Sequence, residues 1–410
     1  MRVAHINVTS GLSTGRIATD ICEVLEDLGH KALLCYSRGY PPQKVPSFHI
    51  GNRVDVWLHA LGARLLDRAG FLSRAATRRL VHQLELYKPD VVHLHNLHGY
   101  YVDIRTLLTW LAKAGIPVVW TLHDCWPFTG HCAYYTMAKC DRWRQCCGSC
   151  PQRRAYPASL WLDQSERNWK EKRKYIGALP NLTLVTPSLW LGNEARRSFL
   201  GKRPIRVIPN GIDLSQFRPC DEPDLIRDVV KRYSLGELGE KRMLLSVAST
   251  WDERKGLNDL VALSEILRED MMIVVLGLTP SQCGDLPITM LGIPRTQSIR
   301  ELRALYTAAD ICLSLSHEET QGMTLLEALA CGTQVLCYDT TALPETVTPE
   351  VGAVVPEVDL QRVANACARL CDHPRTTEAC IARSQQYEKY QQFAKYVSLY
   401  EELVFEKNSP

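Results

Sequence analysis

The sequence predicts an α/β fold of two doubly wound, Rossmann-like domains, and three observations carry that reading. The chain has 410 residues, too many for one ordinary hydrophobic core. Short apolar runs without polar alternation recur between stretches of helical periodicity, the pattern of parallel strands covered on both faces. The rhythm breaks at Pro209-Asn210-Gly211-Ile212-Asp213 and then restarts, so two units of similar size share the chain.

In the first half, strands are expected at 2–7, 31–36, 90–95, 117–122, 182–186 and 205–208. In the second they are expected at 242–248, 272–277, 288–291, 311–316 and 334–338, with helices over 256–268, 299–309 and 323–330. The tail at 377–407 reads as helix and is expected to fold back on the first domain. The expected division is 1–212 together with 386–410 for the first domain, and 213–385 for the second.

Apolar residues at 46% and charged residues at 23% match a soluble globular protein. No apolar run approaches the ~20 residues that span a bilayer. The N-terminus reads as a buried strand rather than a leader, so a cytoplasmic location is expected. A net charge of +3 is too small to argue for nucleic acid. The sixteen cysteines are expected to be mostly reduced, with Cys22, Cys35, Cys312 and Cys337 filling the core.

The most informative segment runs from Ser316-His317-Glu318-Glu319-Thr320-Gln321-Gly322 into Met323-Thr324-Leu325-Leu326-Glu327. It follows an apolar strand and opens an apolar helix. Gly322 allows close backbone approach, and the first N–H groups of a helix have no intrahelical acceptor, so they form an anion site. A phosphate at Met323, Thr324 and Leu325 with Glu327 on ribose hydroxyls makes a coherent nucleotide site. Acidic residues near a helix start also serve as ordinary capping groups.

The wider context decides between these readings. The segment resembles the E-x7-E signature of retaining glycosyltransferases of glycosyltransferase family 4. Val207-Ile208-Pro209-Asn210-Gly211-Ile212-Asp213 with Phe217-Arg218-Pro219, Lys255-Gly256-Leu257, and Glu301-Leu302 with Tyr306 and Ala308-Ala309-Asp310 match that family in the same order. The resemblance implies the GT-B fold, two Rossmann-like domains facing across a cleft. It implies Glu327 on the donor ribose, Glu319 beside the transferred sugar and Lys255 on the diphosphate. The family's arginine five residues before that lysine is Thr250 here, and Arg254 is the substitute expected to clamp phosphate. No catalytic divalent metal is implied.

The loop Ser10-Gly11-Leu12-Ser13-Thr14-Gly15-Arg16 has G-x-x-x-G spacing, which does not support a dinucleotide site. By resemblance, Gly15 approaches the donor phosphates. His123, in Thr121-Leu122-His123-Asp124, ends a strand where ligands of open α/β sheets bind, and it matches the family's histidine near the transferred sugar. His95 and His98 end another strand and are expected on the acceptor side.

Next comes Trp126-Pro127-Phe128-Thr129-Gly130-His131-Cys132, then Cys140, Cys146, Cys147 and Cys150. This loop resembles colanic-acid and related exopolysaccharide transferases. Cys132, Cys140, Cys147 and Cys150 suit a tetrahedral structural zinc, with Cys146 left over. The same thiols also suit a reduced irregular insertion or a disulfide. Residues 54–84 read as one helix, with Trp57, Leu58, Leu61, Leu65, Leu66, Phe71 and Leu72 among Arg64, Arg68, Arg74, Arg78 and Arg79. Arg142, Arg144, Arg153, Arg154, Arg167, Lys170, Lys172, Arg173 and Lys174 form a second basic region. Both suit peripheral contact with the inner face of a membrane, or a solvated basic surface.

The expected activity is transfer of a sugar, with retention, from a nucleotide-diphosphate donor to a polysaccharide precursor or lipid-linked oligosaccharide of an exopolysaccharide, lipopolysaccharide or capsule. The rivals are a non-catalytic sugar-nucleotide-binding partner in a polysaccharide assembly complex and a nucleotide-sugar epimerase.

Overall fold

The structure is a computed structural model and describes residues 1–408; Ser409 and Pro410, at the end of the expected 386–410 segment, lie outside the described residues. It divides into two compact units, Met1–Pro209 with the chain from Tyr390 onward, and Asn210–Lys389.

The first unit holds β1 (Arg2–Ile6), β2 (Lys31–Tyr36), β3 (Ser47–His49), β4 (Val91–Leu94), β5 (Val118–Thr121), β6 (Leu182–Thr186) and β7 (Ile205–Val207). They form one parallel sheet in the order β3-β2-β1-β4-β5-β6-β7. Successive side chains of a strand face opposite sides. Ala4, Val92 and Trp120 therefore join Leu80, Leu107 and Leu111 on one face. Val3, Val91 and Val119 pack on the other against Ile21, Leu25, Phe393, Tyr396 and Tyr400. The last three belong to the C-terminal helix Lys389–Asn408, which thus covers this sheet.

The second unit holds β8 (Arg242–Val247), β9 (Met271–Leu276), β10 (Met290–Ile293), β11 (Ile311–Ser314), β12 (Val335–Tyr338) and β13 (Gly352–Val355). Its parallel order is β10-β9-β8-β11-β12-β13. Met243 and Leu245 pack with Leu325, Leu326 and Cys380. Leu244, between them, turns to Leu260, Leu263, Val363 and Cys367. In each sheet the strand order reverses next to the first strand, at β1/β4 and at β8/β11. Such a switch point leaves a crevice at the carboxyl ends of the strands.

Four local expectations change. The strand expected at 288–291 is displaced to Met290–Ile293, with Ile288 98% exposed. The short edge strands β3 and β13 have no predicted counterpart. The single helix expected over 54–84 is two, Arg53–Leu66 and Arg74–Tyr87. Asp67 caps the first with a left-handed conformation (φ 52°), and Phe71 is drawn fully into the core between them. The tail is also two helices, Thr377–Gln385 and Lys389–Asn408. At the break Ile212 pairs with the chain, its N–H on the Tyr387 carbonyl at 2.7 Å and its carbonyl accepting from Lys389 N–H at 2.9 Å.

Candidate functional site

The second unit gathers the E-x7-E residues at the carboxyl ends of β8 and β11. Gly322 is the residue before the helix Met323–Ala330 and has φ 82°; a Cβ there would lie 2.8 Å from Leu343 Cδ2. Glycine is therefore required for the chain to turn from the loop into the helix. Met323 and Thr324 are half-buried. Their N–H groups precede the first intrahelical acceptor, whereas the Leu325 N–H is given to the Gly322 carbonyl at 3.1 Å. The Leu325 side chain is fully buried and serves the core, which leaves the Met323 and Thr324 N–H groups as the donors at this helix start.

Glu327 sits one turn into the helix, where the Tyr306 hydroxyl donates to its Oε2 at 2.9 Å. Tyr306 is fully buried and fixes the carboxylate. Glu319 is ion-paired with Lys255. Its N–H bonds Thr341 Oγ1 at 2.9 Å. Burial pushes the Glu319 carboxyl up, but Lys255 and Arg254 outweigh it and hold the group below the usual carboxylate range. Arg254 Nη1 donates to the Glu318 carbonyl at 2.9 Å, so the guanidinium lies along this loop rather than in solvent. Thr250, at the family's arginine position, is exposed. Gln321 brackets the Asn210 backbone, accepting at 2.8 Å and donating at 3.1 Å. The Asn-Gly and E-x7-E motifs, far apart in sequence, are thereby held together.

In the first unit Gly15 packs on the turn after β1, where a Cβ would meet Thr9 Oγ1 at 2.5 Å and the Thr9 carbonyl at 2.8 Å. His123 follows β5 and is buried. Its Nε2 meets His95 Nδ1 at 3.0 Å, and His95 Nε2 meets His5 Nδ1 at 3.2 Å. Three imidazoles thus run in a row from the strand end into the sheet. Burial lowers the pKa of His123 to about 4 and of His5 to about 3, and pushes His93 and His95 well below the ordinary value. All are neutral near pH ~7, so each contact in the row is one N–H donor meeting one ring-nitrogen acceptor.

His93 is committed elsewhere, to Tyr400 Oη at 2.6 Å and Thr121 Oγ1 at 2.8 Å. His95, expected on the acceptor side, is instead fully buried between His5 and His123. His98 Nε2 bonds Asp124 Oδ2 at 2.7 Å, and its Nδ1 meets Tyr156 Oη at 3.1 Å. Sequence reasoning missed His5 and Tyr306 as supporting residues. His5 was visible only as a polar residue inside a buried strand; opposite His93 in the β1/β4 register, it completes the cluster.

The model described as Glycosyltransferase Family 4 matches residues 14–216, and that described as Glycosyl transferases group 1 matches residues 231–387. The chain belongs to the glycosyltransferases of this two-domain type. It is 23% identical over 323 residues to WcaC of Escherichia coli (strain K12), provisionally named a colanic acid biosynthesis glycosyl transferase, covering 74% of this chain and 76% of that one. It is 25% identical over 349 residues to D-inositol 3-phosphate glycosyltransferase of Salinispora arenicola, covering 78% of this chain and 69% of that one. Among solved structures, sucrose-phosphate synthase from Thermosynechococcus elongatus aligns with TM-score 0.69 at 18% identity, over 98% of each chain. A glycosyltransferase from Rickettsia africae aligns with TM-score 0.70 at 16% identity, over 100% of this chain and 99% of that one. These likenesses establish the GT-B fold.

Proposed function

We propose that this glycosyltransferase moves a sugar from a nucleotide-diphosphate donor to a polysaccharide-precursor or lipid-linked oligosaccharide acceptor, with retention of configuration. The observation that carries the reading is the helix start at Met323, set between the carboxylates of Glu319 and Glu327 and beside Lys255 and Arg254. The diphosphate suits the Met323 and Thr324 N–H groups with Lys255 and Arg254, and the ribose suits Glu327. Donor phosphate then displaces Lys255 from Glu319, which frees that carboxylate for the sugar.

These cations and helix N–H groups take up the charge of the departing diphosphate. His123, neutral and firmly held, acts on the transferring sugar in the first unit's share of the work. Similarity to WcaC favours an exopolysaccharide acceptor.

The first unit also offers a face for a lipid-linked acceptor. No helix among the described residues is long and apolar enough to cross a membrane. Val54, Trp57, Leu58 and Leu61, at one-face helical spacing, are exposed instead. Exposed Leu160, Trp161 and Leu162 join them, because Leu160 N–H bonds the Arg64 carbonyl at 2.8 Å. With the basic side chains around it, this patch suits an anionic bilayer surface. Lys172 takes no part: it is fully buried and bonded to the Trp126 and Thr129 carbonyls at 2.7 and 3.0 Å.

A melting-temperature panel with UDP-, GDP-, dTDP- and CMP-sugars tests the reading, because a ligand bound only by the native state raises the midpoint. The stabilising donor should also be slowly hydrolysed to free sugar. A shift without any hydrolysis or transfer would favour the non-catalytic rival, and no shift with any donor would overturn the donor site.

A further inference from the structure

We infer that Cys132, Cys140, Cys147 and Cys150 bind one zinc ion through their thiolates and so hold the long loop after β5 in place. Between β5 and the helix Ser165–Gly177, the only helical element among the described residues is the short turn Arg142–Arg144, and there is no strand. A loop of that length inside a compact domain needs an internal tie. These four cysteines line one small cavity, about 10 Å³, together with His131, Arg142 and Trp143. That is room for a single ion or water. Neither Cys146 nor the fully buried Cys125 lines it. The cavity therefore selects the four thiols whose order along the loop suits a tetrahedral site.

The surroundings match a thiolate centre. Gly130 N–H donates to Cys147 Sγ at 3.1 Å, the kind of backbone contact that supports a metal-bound sulfur. All four are free of disulfides. His131, the one competing ligand on the cavity wall, has its ring nitrogens engaged by Asp67 Oδ1 at 2.5 Å and the Ala155 carbonyl at 3.4 Å. Each thiol gives its proton to solvent as its sulfur–zinc bond forms, and no electron changes hands. Four thiolates on a divalent ion leave a net double negative charge. Arg142 on the wall and the buried Lys172, whose ammonium lies 3.4 Å from the Trp126 ring centre under this loop, offset it.

Among the described residues, the one trio of ligand atoms within 4.8 Å of one another is on His5, His93 and His95. No three of the four sulfurs come that close to one another, so closing a tetrahedron requires the thiols to draw together as the ion binds. The histidine trio does not compete, because both nitrogens of His93 are spent on Tyr400 and Thr121.

The test is elemental analysis of untagged protein purified under reductant, and it does not depend on the proposed transfer reaction. About one zinc per chain is expected, released by a mercurial thiol reagent. Cys146→Ser should keep it and Cys147→Ser should lose it. Co²⁺ added to reduced, metal-stripped protein should give the visible absorption of tetrahedral thiolate-bound cobalt. Protein that holds no zinc and gives no such spectrum would overturn the inference. So would a Cys132–Cys150 disulfide in place of the metal, or full zinc retention by Cys147→Ser.

Discussion

Acidification from about pH 7 to about pH 5 is expected to destabilise the first unit sharply, through its neutral imidazoles. Burial lowers the pKa of His5 and His59 to about 3 and that of His123 to about 4. In the unfolded chain each returns to ~6.5. A histidine whose folded pKa is depressed loses stability as pH falls below the unfolded value, because only the unfolded chain takes the proton. Over this interval each group costs about 2 kcal/mol, or about 6 kcal/mol for the three. His93 and His95 act in the same direction. His131 does not: burial lowers it, but the Asp67 contact outweighs burial and raises it. Carboxylates with depressed values, such as Glu319 and Asp213, lose their contribution only below the usual carboxylate range, outside this window. A loss of this size approaches the ~5–15 kcal/mol that stabilises a typical domain. Calorimetry in buffers of different ionisation enthalpy measures the protons taken up on unfolding; about four are expected near pH ~5.5. His59→Gln should lower that uptake by about one. An uptake below about one proton, or a melting temperature flat across the interval, would refute the neutral-imidazole reading.

Tyr306→Phe removes the hydroxyl that orients Glu327 and should weaken nucleotide affinity by ~1 kcal/mol, about five-fold by titration calorimetry, whereas Glu327→Ala should lose ~1.5–3 kcal/mol. Lys255→Ala should weaken binding of the diphosphate by at least ~10-fold and leave nucleoside affinity unchanged, while a neutral Arg254→Ala in both affinity and turnover would return Arg254 to a purely structural place on the Glu318 carbonyl. His123→Ala should lower the single-turnover rate by ~10²-fold or more with nucleotide affinity nearly unchanged; a destabilised but fully active variant would remove it from the reaction. Transfer should survive brief EDTA treatment, and a complete loss restored by Mg²⁺ or Mn²⁺ would contradict catalysis by side-chain cations alone.

What the sequence determined by itself is what local chemistry encodes. Buried parallel strands are continuous apolar runs, so β2, β6 and β8 could be placed almost to the residue. The glycine before Met323 and the carboxylates at Glu319 and Glu327 belong to one short segment whose loop-to-helix turn is written in its own residues. Edge strands of three or four residues bury too little to leave a pattern, and β3 and β13 went unmarked. The break at Asp67–Ser73 comes from Phe71 docking into a core that other elements supply. Lys172 reads as one more surface cation, yet tertiary folding closes Trp126 over it. Tyr306 reaches Glu327 across 21 positions. His5 meets His93 and His95 only after β1 and β4 pair in register. Those contacts depend on which distant strands become neighbours and which side chains share a face, and that is set by burial of the whole sheet rather than by any single stretch of chain.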